Sequence, residues 1–454
     1  MTLRRLLSIA ACTLAPQFAG AQATRLRVPF TLDTLPNGLT LIVHEDHSVP
    51  VVTTNVWFHV GSGDEKVGRT GFAHLFEHLM FMGSENAPYP QFDRLLEAAG
   101  ADNNGSTTED RTNYYEQGPS SSLKLMLWLE ADRMGWLLPT MDKPKVDLQR
   151  DVVKNERRQS YENQPYGMVA DVMPKLLYPA SHPYAWPVIG SMADLSAASV
   201  DDVKDFFRTY YAPNNATLVV AGDVKADEVR AIVRQYFSDV PRGPAIERPT
   251  PAAFTVRDTA VTLEDRVQLA RLYLNWHTVK STDADAPALQ VASYVLAGAR
   301  TSRLTQALVY SGEVATGVQA LNDGKRLDGD FTIVATARPG KALDTLQTVI
   351  DANLQRLASD GPTARELDQA RNAIEASFLR SIQTVSGKAD QLNEYYYQTG
   401  NPDGFQDDLD KLRAVSAADI QRVVRTYLQA PRVMISVVPQ GKQALAATQK
   451  KVTQ

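Results

Sequence analysis

The chain has 454 residues, 44% apolar and 22% charged, and carries a formal net charge of −5 without basic runs, which argues against nucleic acid or an anionic membrane as its partner. Its single cysteine, Cys12, lies in the first 23 residues, so disulfides, thiolate ligands and a cysteine nucleophile are excluded from the remainder. The length suggests two or more domains, and any catalysis must come from hydroxyl, carboxylate, imidazole or a metal.

Residues 1–23 read as a secretory signal peptide: Arg4 and Arg5 precede an apolar stretch from Leu6 to Leu14, and Ala21-Gln22-Ala23 offers a small-x-small cleavage site. The apolar stretch is too short to span a bilayer, and no later segment is apolar enough to do so. Release into the periplasm is the expectation, with lipid anchoring through Cys12 as the alternative.

Strand-like runs follow at 38–46 and 49–62, the first entered through the turn Pro36-Asn37-Gly38. Helical periodicity covers 71–82, 121–137, 145–162 and 201–210, then 286–297, 341–358 and 364–398. The segment SVDDVKDFFRTY (199–210) returns 217 positions later as SAADIQRVVRTY (416–427). Each copy opens on a serine suited to cap a helix, and each is followed by a strand-like run, ATLVVAGDV (216–224) or RVMISVVPQ (432–440). A repeat at about half the chain length means a duplicated domain rather than a short-period solenoid. Between the copies, VPRGPAIERPTPAAF (240–254) is proline-rich and aperiodic. The expected fold is α+β, built twice: a first domain at 24–240, a linker at 241–253 and a repeat at 254–454.

Within the first helix the run HLFEH places His74 and His78 four residues apart with Glu77 between them. On a helix, positions i and i+4 share a face that i+3 borders, so two imidazoles can meet one ion while the carboxylate points at a water beside it. Zinc suits such a set, because it takes nitrogen and oxygen ligands and leaves a position open for water. The neighbours Phe72, Leu75, Phe76, Leu79, Met80, Phe81 and Met82 make the helix apolar nearly all round, and buried imidazoles and carboxylates need partners that a metal would satisfy. A third ligand has to come from elsewhere. In KVDLQRDVVKNERRQS (145–160) the positions Val146, Gln149, Val153 and Glu156 fall on one face, and this nominates Glu156, a solvated helix glutamate being the alternative. The remaining histidines, His44, His47, His59, His182 and His277, read as structural or exposed, and the Tyr395-Tyr396-Tyr397 run as core.

H-x-x-E-H followed at this distance by N-E-R-R resembles the pitrilysin and insulinase family of zinc peptidases, the inverzincins, and is most similar to the branch of mitochondrial processing peptidase and its short bacterial relatives. GFAHLFEHLMFMGS, NNGSTTEDRTNYYE (103–116), VVKNERRQS, SHPYAWPVIGS (181–191) and YYAPNNATLVVAGDV (210–224) stand in the family's order. The resemblance implies one zinc ion held by His74, His78 and Glu156, with Glu77 as general base. It also implies a clam-shell of two such two-domain units around a peptide chamber, with oligopeptides or unfolded segments docked along a sheet edge.

Two departures qualify that expectation. Relatives carry an acidic residue seven positions before the ligand glutamate, where this chain has Gln149. An arginine and a tyrosine seven apart, expected beyond Ser302-Arg303-Leu304, are replaced by Val309 and Thr316. By the 217-residue offset the metal positions map near Val291, Tyr294 and Val295, so the second half carries no metal site. The expectation is a catalytic subunit paired with a zinc-free paralogue that supplies the arginine and tyrosine, or otherwise a homodimer. The alternative is a non-catalytic subunit that binds peptide or a partner.

Overall fold

The computed structural model describes residues 25–448, so the signal peptide and Cys12 lie outside the described residues. The first half contributes strands β1 (Thr31–Thr34), β2 (Thr40–Glu45), β3 (Val51–Phe58), β4 (Asp102–Thr107), β5 (Thr112–Pro119) and β6 (Ala216–Gly222). Its helices are α1 (Phe72–Leu79), α2 (Gln91–Ala98), α3 (Leu123–Trp136), α4 (Lys143–Arg157), α5 (Val169–Leu177), α6 (Met192–Ala197), α7 (Val200–Tyr210) and α8 (Ala226–Phe237). The second half has β7 (Thr259–Asp265), β8 (Arg271–Thr278), β9 (Ala315–Gly324), β10 (Gly329–Ala337) and β11 (Val433–Pro439). Its helices are α9 (Ala286–Ser293), α10 (Leu343–Asp360), α11 (Ala364–Ser381), α12 (Val385–Thr399), α13 (Phe405–Ala414) and α14 (Ala417–Val423).

Each half forms one mixed sheet, ordered β1-β2-β6-β3-β5-β4 and β7-β11-β8-β10-β9. The repeated segment does the same job in both. Ser199 and Ser416 each build a capping box at a helix N-terminus, with Asp202 and Asp419 answering three residues on. The strand that follows each helix enters the middle of its sheet, β6 parallel to β2 and β11 parallel to β7. The runs 38–46 and 49–62 do become strands, but β2 and β3 are not neighbours, because β6 inserts between them. The expected continuous helix over 364–398 is broken at Ile382–Thr384, where the Thr384 hydroxyl accepts from Gly387 N and starts α12 afresh.

Central strands explain why the halves cannot be separated cleanly. Along β6, Leu218 and Val220 face the helices of their own half, whereas Val219 and Ala221 face the opposite way with Ile42. That second face is covered by α12 of the other half, through Val385, Ala389, Leu392 and Tyr395. The arrangement is reciprocal: Val433, Ile435 and Val437 of β11 are covered by Val169, Met173 and Leu177 of α5. A strand buried on both faces reads as a continuous apolar run, as ATLVVAG and VMISVVP do. Residues 241–258 cross between the halves without helix or strand.

Candidate metal centre

Helix α1 starts from Gly71, whose φ of +88° is a left-handed conformation that favours glycine. Its first amides are met by a buried carboxylate: Glu65 accepts from Gly71 N at 3.0 Å and from Ala73 N at 2.8 Å, and Trp186 Nε1 donates to it at 3.1 Å. Burial pushes the Glu65 carboxyl up to about 8, against these donors, which favour the ionised form. Phe72, Leu75, Phe76 and Leu79 anchor the apolar face of α1 in the first core, leaving His74 and His78 only partly covered.

The face of α4 nominated from spacing is the one that packs on α1. Val146 and Val153 are buried in the first core, and Glu156 lies one turn further on. Its Oε2 is 3.6 Å from His74 Nε2 and 3.3 Å from His78 Nε2. Ligand atoms around a tetrahedral ion with bonds of about 2.1 Å lie about 3.4 Å apart, and both separations from Glu156 Oε2 fall near that value, while all three donor atoms lie within 4.8 Å of one another. Among the described residues this is the one group of three or more histidine, cysteine or carboxylate side chains close enough together to hold a metal ion. The buried Nδ1 of His74 has no hydrogen-bond partner.

Electrostatics divides the two imidazoles. Burial holds His74 down to about 4, with the His78 charge adding to the effect and Glu156 opposing it. Burial also works against protonation of His78, but its hydrogen bond to Glu156 and the Glu156 charge outweigh that, so its pKa is raised. The same hydrogen bond holds Glu156 below the usual carboxylate range. Gln149 donates to Met82 Sδ at 2.8 Å and also reaches the His78 ring.

Glu77 points from the same helix to β4, an edge strand of its sheet. Thr107 Oγ1 donates to Glu77 Oε2 at 2.5 Å, and a Cβ on Gly105 would lie 3.1 Å from Glu77 Cγ. Burial raises the Glu77 pKa, and the Thr107 hydrogen bond offsets part of that. Sequence periodicity did not single out Thr107 or Glu65, because one lies on a polar edge strand and the other in a loop.

Val309 packs against the second core, and Thr316 Oγ1 donates to the Thr336 carbonyl at 3.3 Å. Val291 and Val295 are core residues of the second half. The other histidines have structural partners: His44 Nδ1 meets the Pro29 carbonyl, His47 pairs with Asp223, and His59 stacks on Tyr397. His182 and His277 both face Asp328, the first across the contact between the halves and the second within its own half. Tyr395 lies in the core, whereas Tyr397 donates to the Asp110 carbonyl.

Comparison with known proteins assigns the chain to a family. Residues 40–181 match the family model "Insulinase (Peptidase family M16)", and residues 197–374 match "Peptidase M16 inactive domain". The zinc protease PqqE of Helicobacter pylori is 28% identical over 435 residues, covering 94% of this chain and 97% of that protein. A probable mitochondrial-processing peptidase subunit beta of Arabidopsis thaliana is 25% identical, covering 89% and 77%. A crystal structure of a protease from Helicobacter pylori superposes with a TM-score of 0.84 at 27% identity, covering 91% of this chain and all of that one. With both halves of the duplicated fold matched in order, the chain belongs to the insulinase family, peptidase family M16.

Proposed function

We propose that the protein is a zinc-dependent endopeptidase that cleaves oligopeptides or unfolded chains, with His74, His78 and Glu156 holding the ion and Glu77 acting as general base. The observation that carries this reading is the convergence of three donors from two helices, with Glu156 Oε2 at 3.6 Å and 3.3 Å from the two imidazole nitrogens and a separate half-buried carboxylate beside them. Zinc in that position supplies a Lewis acid that polarises the scissile carbonyl and lowers the pKa of water towards neutrality. Glu77 takes the proton of the attacking water on its free oxygen, while Thr107 fixes the other oxygen. The same carboxyl then returns the proton to the leaving amine. The open side of β4 accepts the peptide backbone as an added strand, which sets the scissile carbonyl beside Glu77.

The functional unit is a clam-shell, formed with a zinc-free paralogue that provides the arginine and tyrosine absent at Val309 and Thr316, and it works in the periplasm. A second reading, a non-catalytic peptide-binding subunit, is favoured by those two residues and by the neutral Gln149. Hydrolysis of a quenched, unstructured peptide library by the zinc-supplied chain, beside Glu77→Gln, separates the two. Turnover lost in the variant supports the peptidase. Silence from the chain both alone and with a paralogue carrying arginine and tyrosine at those positions favours the binding subunit.

A further inference from the structure

Glu156 and the histidines belong to different helices, so something has to set the distance between α1 and α4 to within a few tenths of an ångström. The residue after the third ligand does this. Arg157 is buried, with 7% of its side chain exposed, and its guanidinium carbon lies 5.3 Å from the centre of the Tyr161 ring. Its Nη1 donates to the Gly190 carbonyl at 2.8 Å, and its Nη2 donates to Asp171 Oδ1 at 2.8 Å.

Gly190 leads directly to the other helix. Its φ is +71°, and a Cβ there would lie 2.3 Å from Gly71 N, the N-cap of α1 three residues before His74. From the other side, a Cβ on Gly71 would lie 2.6 Å from the Ile189 carbonyl. Two left-handed glycines thus meet back to back, with no room for a side chain between them. The loop that contains Gly190 also sends Trp186 to Glu65, the carboxylate that holds the first amides of α1. Through Asp171 the same guanidinium is tied to α5, the helix that covers the sheet of the second half.

We propose that Arg157 is the positioning residue of the metal centre: its fork fastens the end of α4 to the loop that abuts the start of α1, and so places Glu156 Oε2 opposite the two Nε2 atoms. The inference rests on the zinc reading above. A buried arginine that serves the fold alone would lower stability when removed, without a specific effect on metal. Partners that orient a ligand typically change metal affinity by about 10–100-fold when removed. A lysine is a single charged point in place of a planar fork, so it restores little of the two-pronged contact.

The test is zinc affinity of the metal-free full-length chain, by competition with a chromophoric chelator, for the wild type, Arg157→Ala, Arg157→Lys and a control, Ile350→Ala, in the distant second core. Arg157→Ala weakens zinc binding by about 10–100-fold, Arg157→Lys lies between it and the wild type, and added methylguanidinium restores affinity to Arg157→Ala. Ile350→Ala loses stability but keeps its zinc affinity. Wild-type affinity in Arg157→Ala overturns the inference and leaves the zinc reading intact, whereas a wild type that binds no zinc overturns both. Should Arg157→Ala not fold, Arg157→Lys decides alone: an affinity equal to the wild type's overturns the inference, and a weakening without loss of melting temperature supports it.

Discussion

Thr107 Oγ1 sits 2.5 Å from Glu77 Oε2, so a hydroxyl on the edge strand holds one oxygen of the helix carboxylate that stands beside the candidate metal ligands. Replacing Thr107 by valine removes the donor at nearly constant shape. The loss frees the carboxylate to rotate and raises its pKa further, because the hydrogen bond was the largest opposing influence on a group already raised by burial. Thr107→Val is expected to lower kcat roughly tenfold, a part of the roughly 10²–10⁴-fold that a general base typically contributes, and to move the acid limb of the rate profile to higher pH. Thr107→Ser keeps the donor and stays near wild type in both. Steady-state kinetics across pH on the three proteins checks this.

On the proposed reading, zinc binds the folded chain and raises its stability. At a hundredfold excess over Kd the gain is about 2.7 kcal/mol. The expected outcome is a melting temperature that rises with zinc for the wild type and not for His74→Ala, His78→Ala or Glu156→Gln. Gln149→Glu, which adds a charge beside His78, should increase the response. Differential scanning calorimetry with and without a chelator reads all five.

His59 contributes stability that grows between about pH 4 and neutrality, opposite in sign to the contribution of the raised Glu65 carboxyl. Burial holds its imidazole down to about 3, with Arg248 and Arg326 adding to the effect, while its ring stacks on Tyr397 and its Nε2 meets Thr217 Oγ1. Between pH 3 and the ordinary histidine range the unfolded chain binds a proton that the folded chain refuses, so stability falls as pH drops from about 6.5. At pH 5 the effect is about 1–2 kcal/mol. Denaturant unfolding at pH 5 and pH 7 should show a smaller difference for His59→Gln, which keeps a polar contact and does not titrate.

The two halves depend on each other's helices. Leu392 of α12 is buried at 0% exposure against the first sheet, although it lies 170 residues beyond Gly222, the end of that sheet's last strand. Leu392→Ala should cost about 2–5 kcal/mol and weaken the first half's core. Residues 24–240 expressed alone leave Ile42, Val219 and Ala221 uncovered, and should bind a hydrophobic dye and unfold without cooperativity. Co-expression with 254–454 should reverse this, as measured by dye fluorescence and co-purification.

Local features of this protein were written locally. The spacing of His74, Glu77 and His78 on one helix, the apolar surroundings of that helix, the face of α4 that carries Glu156 and the capping serines of the repeat all depend on residues within about three turns of each other, and periodicity reports such distances directly. The tertiary structure decided what periodicity has no access to. β6 enters between β2 and β3 from more than 150 residues away, and α12 and α5 each cross to the other half's sheet, because the second face of each central strand is apolar and takes whichever helix the return of the chain delivers. The same holds at the site. Thr107 reaches Glu77 from an edge strand, Glu65 closes the start of α1 from a loop, and Arg157 joins α4 to Gly190 across a contact between two glycines. The first and last are hydrogen bonds between segments 30 and 33 positions apart and the second spans an aperiodic loop, so the direction of each exists only once the backbone has closed around it.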